Sequence, residues 1–296
     1  MWGPSFAASD GHAVMHQNGH GLVDLGSALS ATAPPGRNGV AYAPRVSVVI
    51  PALNEAKNLP HVLPKLPPYV YEVILVDGHS SDGTIEIARA LYPEIRVLTQ
   101  SGRGKGDALA CGFAAARGDI VVMLDADGSA RPEEIPRFVD ALVRGADMAK
   151  GSRFADGGGS ADITRLRNLG NRMIGALVNI LYGTRYTDLC YGYNAFWRRP
   201  LSRLRLDCDG FEVETLINVR AAKAGLHIVE VPSFEDPRIH GASNLRAFRD
   251  GCRIVRLILR ERFRRAWPAI YVVEPFAAPP TGPPAEATAS MPSGSA

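Results

Sequence analysis

Short apolar runs rich in β-branched residues recur through the first half of the chain, and polar or glycine residues follow each of them. Runs of this kind are typical of strands that are buried on both faces of a parallel sheet. They predict five strands, at residues 46–50, 72–76, 96–99, 120–124 and 147–150.

Segments with helical character lie between these strands. Asp82 is placed to cap a helix that begins near Thr84, and the proline and two acids at residues 132–134 favour the first turn of another. The predicted helices cover residues 58–66, 84–91, 106–116 and 132–144. The alternation of strand and helix predicts a three-layer α/β fold built on a parallel sheet.

The regular pattern is confined to the middle of the chain. Residues 1–44 mix Gly, Ala, His, Ser and Pro without a sustained period, and residues 271–296 contain Pro-Pro pairs. We therefore interpret both ends as disordered tails. Between them we expect an α/β domain at residues 45–245 and a basic amphipathic helix at residues 246–270.

Composition narrows the class of protein. Of the 296 residues, 46% are hydrophobic and 21% are charged, as in an ordinary globular protein, and the net charge of +3 gives no general signal for nucleic acid. The four cysteines are widely spaced, so we interpret them as reduced thiols rather than disulfides or zinc ligands. Because neither a signal peptide nor a long apolar stretch is evident, we expect a cytoplasmic protein.

Two carboxylates, Asp125 and Asp127, directly follow the predicted strand at residues 120–124. Ligands of open α/β sheets bind at the carboxyl ends of the strands. Neighbouring carboxylates repel each other unless a cation joins them, and their hard oxygen atoms suit Mg²⁺ or Mn²⁺. Asp-x-Asp also occurs in ordinary turns, so the pair alone does not decide between a turn and a metal site.

Polar loops also follow the first three predicted strands. Each loop alone is compatible with turn chemistry, but polar loops at four successive strand ends indicate one ligand site. The four loops are residues 51–55, 77–84, 102–106 and 125–127.

The glycine-rich loop at residues 102–106 tests other nucleotide-binding folds. Its spacing and its place after the third strand differ from a dinucleotide fingerprint, and it lacks the remainder of a P-loop. NAD binding and ATP hydrolysis are therefore unsupported, although Arg103 and Lys105 suit the approach of a charged ligand. A nucleotidyltransferase would need a glycine-rich loop after the first strand, where residues 51–55 read Pro-Ala-Leu-Asn-Glu.

In this order the loops resemble those of family 2 glycosyltransferases with the GT-A fold, most closely the polyprenyl- and dolichyl-phosphate sugar synthases. The resemblance covers residues 45–245 and continues at residues 151–153, 188–193, 210–214, 230–232 and 238–245. It implies a three-layer α/β sandwich with a mostly parallel central sheet and a Rossmann-like nucleotide-binding half. It also implies metal-dependent, inverting transfer of a hexose from a UDP- or GDP-sugar to a polyprenyl phosphate.

The resemblance further implies roles for individual residues. Asp125 and Asp127 would hold Mg²⁺ or Mn²⁺ on the donor diphosphate. The donor-binding residues would be Pro51, Asn54, Glu55, Asp77, Lys105, Asp125, Arg238, His240 and Ser243. The catalytic group would be Asp127, Arg153, Glu212 and Glu214, and the acceptor side would contain Asp188, Tyr191 and Tyr193. For Asp77 a turn cap, and for Arg153 a surface ion pair, stay open as structural alternatives.

Two positions depart from the family pattern. Ser129 stands where relatives often carry a glutamine that binds the metal, which leaves the rest of the coordination open. Asn244 stands where relatives typically carry lysine, so this chain has one positive charge fewer there.

The acceptor decides whether a general base is needed. A phosphate is already anionic, whereas a hydroxyl on a soluble acceptor must lose its proton, for which Glu212, Glu214 and Asp209 are candidates. Transfer to a soluble acceptor is therefore the alternative function. A binding module without activity is disfavoured by the intact acids at positions 77, 125 and 127.

Two segments are candidates for membrane contact. Residues 164–182 place apolar side chains at helical spacing near three arginines. The segment at residues 246–270 has the sharper pattern, a basic stripe of Arg246, Arg249, Arg253, Arg256, Arg260 and Arg264. Basic amphipathic helices bind anionic lipid, so we expect peripheral contact with an anionic membrane at its cytoplasmic face. A solvated charged face that packs its apolar side on the domain is the alternative.

Overall fold

The computed structural model describes residues 43–241 and 247–264 of the chain. Ser243, Asn244, Arg246 and nearly all of both predicted tails lie outside these residues. The disorder of residues 1–44 and 271–296 therefore stays a prediction.

Seven strands form one sheet within the described residues, and all five predicted strands are among them. In spatial order they are β3 (Arg96–Thr99), β2 (Glu72–Asp77), β1 (Val46–Ala52), β4 (Ile120–Met123), β7 (Asn194–Trp197), β5 (Met148–Ser152) and β8 (Ile228–Pro232). β7 runs antiparallel to both of its neighbours, and the other pairs are parallel. The short strands β6 (Gly159–Ser160) and β9 (Phe234–Glu235) pair separately.

The predicted helices are present with adjusted bounds. The described helices are α1 (Leu59–Val62), α2 (Thr84–Leu91), α3 (Gly104–Ala115), α4 (Ile135–Val143), α5 (Arg165–Tyr182), α6 (Arg198–Leu201), α7 (Val213–Lys223) and α8 (Ala247–Phe263). The helix predicted at residues 58–66 divides into α1 and a 3₁₀ turn at Leu63–Lys65, because prolines occupy the start of both pieces. A further 3₁₀ turn, Pro132–Glu134, precedes α4.

The main core lies between the sheet and helices α3 and α7. It includes Val49 and Val121 from the strands, Leu109 from α3 and Ile217 from α7, all fully buried. α4 packs against β5 and β7, and its buried residues do not belong to this cluster. Helices therefore cover both faces of the sheet, which is why all six residues of β2 are buried and the strands read as continuous apolar runs.

The order of the strands fixes the place of the ligand crevice. The chain runs from β1 outward to β2 and β3, then returns to β4 on the other side of β1. A crevice forms at such a reversal, beyond the carboxyl ends of the strands. The loops after β1 and β4 flank this crevice.

Helices α5, α7 and α8 share a second core. Val178 of α5, Val219 of α7 and Ile258 of α8 are fully buried in it, and the Tyr182 hydroxyl donates to the Ile258 carbonyl at 2.7 Å. Arg220 of α7 donates to the buried carboxylate of Glu261 at 2.8 Å, which ties α8 to the domain. No helix in the described part of the chain is long and apolar enough to cross a membrane.

Candidate active site

The loops after β1 and β2 hold each other in an unusual backbone conformation. Asn54 and His79 have positive φ angles of 58° and 68°, a region that non-glycine residues visit rarely and chiefly at functional sites. The Asn54 amide donates to Ser80 Oγ, and the Ser81 amide donates to Asn54 Oδ1, each at 2.9 Å. The two loops therefore form one rigid edge beside the crevice.

Asp77 ends β2 and is buried. Its carboxylate accepts hydrogen bonds from the backbone amides of His79 at 3.0 Å and Ser80 at 3.1 Å. The side chain thus caps its own turn, and it does so at the crevice edge where the predicted donor site lies.

Asp127 is held by the turn that follows β4. Its Oδ1 accepts hydrogen bonds from the Ser129 amide at 3.0 Å and the Ser129 hydroxyl at 2.7 Å, while Gly128 takes a φ of 78°. Ser129 therefore orients the carboxylate of Asp127, leaving Oδ2 directed toward other partners.

Lys105 joins Asp125 to Glu214. Its ammonium group lies 2.6 Å from Asp125 Oδ1 and 2.7 Å from Glu214 Oε1, at the start of α3. Burial alone would lower the pKa of Lys105, but the two carboxylates raise it above its ordinary value. Burial raises the pKa of the Glu214 carboxyl, and Lys105 offsets part of that effect. The lysine therefore stays charged between two acids.

Three glycines make this arrangement possible. At the start of α3 the backbone passes very close to the loop that precedes α7. A Cβ at Gly104 would lie 2.1 Å, and a Cβ at Gly106 2.0 Å, from a backbone carbonyl oxygen of that loop. A Cβ at Gly192 would lie 2.6 Å from Glu214 Oε1 and 3.0 Å from Lys105 Nζ. Gly192 therefore leaves the room in which the lysine and the carboxylates meet.

Arg238 bridges the loops after β1 and β4. Its guanidinium lies 2.8 Å from Asp127 Oδ2 and 3.3 Å from Glu55 Oε1. The adjacent His240 amide donates to Asn58 Oδ1 at 3.0 Å. Burial raises the pKa of Glu55, and hydrogen bonds from Asn58 and the charge of Arg238 lower it again in part.

A buried cluster of ion pairs forms around Arg153. Arg153 donates to Asp188 Oδ2 at 2.7 Å and to Glu235 Oε2 at 2.9 Å, and its guanidinium lies 4.9 Å from the centre of the Tyr191 ring. Burial would raise the pKa of Asp188, but the hydrogen bonds and charge of Arg153, together with the charge of Lys150, hold it below its ordinary value. Arg153 is thus held in a network with two carboxylates.

A cleft of about 340 Å³ connects the acids to helices α5 and α8. The loops and strand ends provide most of its charged side chains, namely Lys105, Asp125, Asp127, Arg153, Glu214, Glu235 and Arg238, together with Ser129. Helices α5 and α8 and the adjoining loops add the apolar residues Ile163, Leu166, Ile174, Phe211 and Ile254 and the polar residues Asp162, Arg167, Asn171 and Asp250. One continuous space therefore joins the charged groups around the two acids to a mixed lining of apolar and polar side chains from the helices.

The structure brings seven of the predicted site residues together, among them three of the four predicted catalytic residues. Asp125, Asp127, Lys105, Arg153, Tyr191, Glu214 and Arg238 all line the cleft. The donor-side residues Pro51, Asn54, Glu55 and Asp77 lie at the ends of β1 and β2, and Glu55 contacts the cleft residue Arg238. Ser243 lies outside the described residues.

Besides the donor-side residues at the ends of β1 and β2, four predicted residues lie away from the cleft lining. Glu212 pairs with Arg253 of α8 at 3.2 Å, and Asp188 is buried behind the cleft against Arg153. Tyr193 is buried too, with its ring 4.3 Å from that of Phe138 and its hydroxyl donating to the Arg131 carbonyl. His240 lies beside Asn58. Of the two predicted catalytic glutamates, Glu212 and Glu214, it is therefore Glu214 that lines the cleft.

Sequence reasoning missed several cleft residues. Thr215 is buried, and its hydroxyl has no hydrogen-bond partner in the described part of the chain. Asp250 and Gly251 reach the cleft from α8, and Asn171 from α5. No loop motif marked these positions, because they lie within helices whose packing brings them to the cleft.

The residues present fit a divalent cation. Asp125 and Asp127 provide hard carboxylate oxygens at the cleft, and Mg²⁺ is often bound by one or two carboxylates together with substrate phosphates. Across the described residues, no cluster of three or more His, Cys, Asp or Glu side chains could hold a metal alone. The donor diphosphate and water would have to complete the coordination.

Comparison with known proteins identifies the class of this cleft. A family model, Glycosyl transferase family 2, matches residues 47–205. Glycosyltransferase AglJ of Haloferax volcanii is 35% identical over 224 residues, which are 75% of this chain and 72% of the relative. Undecaprenyl-phosphate mannosyltransferase of Micrococcus luteus is 36% identical over 200 residues, which are 64% of this chain and 82% of the relative.

A solved structure shares the fold. Glucosyl-3-phosphoglycerate synthase from Mycobacterium tuberculosis, in complex with Mn²⁺, UDP and glucosyl-3-phosphoglycerate, has a TM-score of 0.62 and 25% identity to this chain. The match covers 84% of this chain and 86% of that one. The predicted GT-A fold with a mostly parallel sheet is confirmed.

Proposed function

Since the chain belongs to glycosyl transferase family 2, we propose that it transfers a hexose from a UDP- or GDP-sugar to a polyprenyl phosphate. The transfer takes place with inversion, depends on Mg²⁺ or Mn²⁺, and occurs at the cytoplasmic face of a membrane. Support comes from Asp125 and Asp127 in the cleft, from the relative that is an undecaprenyl-phosphate mannosyltransferase, and from the Mn²⁺ and UDP in the structural neighbour.

The donor side stabilises the departing nucleoside diphosphate. Asp125 and Asp127 would hold the metal ion, which would supply Lewis-acid stabilisation of the leaving group. Lys105 pairs with Asp125 and Arg238 pairs with Asp127. Both cations add positive charge near the diphosphate, on which negative charge develops as it departs. The rigid loops after β1 and β2 hold the base and the ribose, with Asp77 at their centre.

The acceptor side meets the donor near Glu214 and Gly192. Both residues line the cleft beside Asp125, so a nucleophile there approaches the sugar carbon bonded to the diphosphate. A phosphate oxygen is already anionic and needs no base. Its bond to the sugar carbon would form as the bond from that carbon to the nucleoside diphosphate breaks, and this single displacement inverts the configuration. Tyr191 borders the same region, with its hydroxyl 3.1 Å from Ser233 Oγ.

The lining of the cleft supports this choice of acceptor. It contains Asp125, Asp127 and the basic residues beside them, and helix α5 with its preceding loop adds the apolar side chains of Ile163, Leu166 and Ile174. A molecule with an anionic head and a hydrocarbon tail matches both kinds of lining, because burial of its apolar tail is favourable and its phosphate lies near the cations. A polyprenyl phosphate is such a molecule.

A partition assay tests the proposal. The protein is incubated with radiolabelled UDP- and GDP-sugars, Mg²⁺ or Mn²⁺, and polyprenyl phosphate, and the mixture is extracted with organic solvent. Label in the organic phase is the expected result, and Asp127→Ala should abolish it. Turnover of a donor with no lipid product from any donor would overturn the lipid acceptor.

A hydroxyl on a soluble molecule is the second candidate acceptor, and one observation favours it. Glu214 faces the cleft and burial raises the pKa of its carboxyl, as suits a general base. In that case the same assay with soluble acceptors yields aqueous product, and Glu214→Gln removes it. For a phosphate acceptor, the loss on Glu214→Gln should be smaller than for a hydroxyl, because no proton must be removed.

A further inference from the structure

Helix α5 exposes a line of large apolar side chains. Leu166, Leu169, Met173 and Ile180 are 70%, 57%, 65% and 81% exposed. At 100° per residue these four positions fall within a sector about 60° wide, so they form one narrow stripe along the helix. We call these four residues the α5 stripe. Exposed apolar groups arranged in this way mark an interaction surface more often than scattered ones do.

The charges on α5 complement an anionic partner. The helix contains Arg165, Arg167 and Arg172 and no acidic residue. Arg165 and Arg172 are exposed and lie two turns apart along the same border of the α5 stripe. Neither of them forms an ion pair with any described residue.

Helix α8, which has the sharper basic pattern in sequence, is used differently. Its apolar residues Ile254, Leu257 and Ile258 are buried against the domain. Three arginines of its basic stripe form internal ion pairs, Arg253 with Glu212, Arg264 with Asp207, and Arg260 with Glu261. The domain therefore covers these three apolar residues of α8 and leaves Leu259 and Phe263 exposed, whereas all four residues of the α5 stripe are open to solvent.

The α5 stripe adjoins the cleft. Leu166 belongs to the stripe and also lines the cleft, together with Gly170 and Ile174 on the adjacent face of α5. A surface that covers the stripe therefore lies next to the α5 side of the cleft.

We propose that the α5 stripe, with Arg165 and Arg172, inserts into the headgroup region of an anionic bilayer and places the opening of the cleft at the lipid surface. The apolar side chains enter the acyl boundary while the arginines remain among the phosphates, as in other interfacial helices. Binding to an anionic bilayer is inferred from the α5 stripe and its arginines alone. The delivery of a lipid acceptor to the cleft rests on the proposed function.

A second copy of the chain fits the stripe less well. A two-fold interface would bring the same surface of both copies together. Arg165 and Arg172 would then face a helix that has no acidic residue to pair with them. Anionic lipid provides the charge that this surface lacks.

Vesicle flotation tests the proposal. The full chain, without donor or acceptor, is floated with vesicles of phosphatidylcholine alone and with vesicles of equal parts phosphatidylcholine and phosphatidylglycerol. Binding to the mixed vesicles is expected, and the triple variant Leu169→Ser, Met173→Ser, Ile180→Ser should weaken it at least about tenfold, because each apolar side chain contributes to interfacial binding. These three residues do not line the cleft.

The controls separate the possible outcomes. Arg249→Gln with Arg256→Gln on α8 should weaken flotation less than Arg165→Gln with Arg172→Gln on α5. The triple variant should keep its activity on a short-chain, water-soluble isoprenyl phosphate. If the proposed reaction is wrong, wild type will show no product in that assay, whereas the flotation result does not depend on the reaction. Flotation that is equal for wild type and triple variant, or a dimer in light scattering that the triple variant dissociates without any vesicle binding, would overturn the proposal.

Discussion

Lys105 Nζ lies 2.7 Å from Glu214 Oε1, although the two residues are 109 positions apart in the chain. The contact joins the start of α3 to the start of α7 beside Asp125. One largely buried cation therefore pairs with two acids from separate elements, and the arrangement of charges in the cleft depends on it.

Replacement of Lys105 by Met should leave Asp125 and Glu214 without their shared cation. An unpaired buried charge is costly, so we expect a loss of about 3 kcal/mol in the free energy of unfolding and near-complete loss of turnover. Denaturant unfolding and initial rates measure the two effects. Glu214→Gln in the same chain should restore part of the stability, and strictly additive effects of the two substitutions would contradict the pairing.

Gly192→Ala should disturb the same contact from the other side. The new Cβ would lie 2.6 Å from Glu214 Oε1 and 3.0 Å from Lys105 Nζ, so the ion pair must shift. We expect the protein to fold and kcat/KM to fall at least about tenfold, since small displacements of catalytic groups are costly. Gly175→Ala on α5 is the matched control, because its Cβ would meet nothing within 4 Å. That control should keep full activity and gain about 0.5–1 kcal/mol of stability; equal activity in both variants would refute the prediction.

The sequence alone predicted the parts of the site that depend on strand ends. Asp125, Asp127 and Asp77 follow buried apolar runs, and parallel strands bring their carboxyl ends to one edge. The family resemblance pointed to Arg238 as a donor-binding residue, which the structure places on Asp127. The partner of Lys105 was not predictable in this way, because its contact with Glu214 depends on how α3 and α7 pack and on the space left by Gly192.

The packing of α5 and α8 was likewise not predictable from the sequence. Periodicity predicted the apolar faces of α5 and α8, but it did not reveal which face packs on the domain. The structure buries Ile258 of α8 and leaves Ile180 of α5 exposed, since α8 closes the second core beside α5 and α7. The surface that remains open is thus a property of the packing rather than of either helix alone.

Asp188→Asn should destabilise the protein at neutral pH. It leaves Arg153, which is 5% exposed, without its closest carboxylate, and we expect a loss of about 3 kcal/mol. The pKa of Asp188 is held below its ordinary value, mainly by Arg153 against the opposing effect of burial. Its stabilisation is therefore complete above the unfolded pKa of about 3.9 and is lost as the pH falls toward the lower folded value.

Unfolding of wild type and Asp188→Asn across the acid range measures this dependence. The difference in stability should be largest at neutral pH and should shrink below about pH 4. Asp162→Asn, which breaks an ion pair with Arg167 that is partly exposed, should change stability by less than about 1 kcal/mol. A difference for Asp188→Asn that stays constant down to the lowest pH would show that the carboxylate charge is not its source.

Arg238→Gln should strengthen the binding of Mn²⁺ alone and weaken the binding of the donor. In the described structure Arg238 lies 2.8 Å from Asp127 Oδ2, so a cation that binds there must compete with the guanidinium. Removal of a partly exposed ion pair worth about 1 kcal/mol corresponds to roughly fivefold tighter Mn²⁺ binding without nucleotide. With Mn²⁺ present, affinity for UDP and GDP should fall, because a positive charge near the diphosphate is lost. Paramagnetic resonance titration and calorimetry measure the two affinities. Arg131→Gln removes a similar arginine that pairs with Asp236 and should change neither; an Mn²⁺ affinity of Arg238→Gln equal to that of wild type would show that Arg238 does not compete for Asp127.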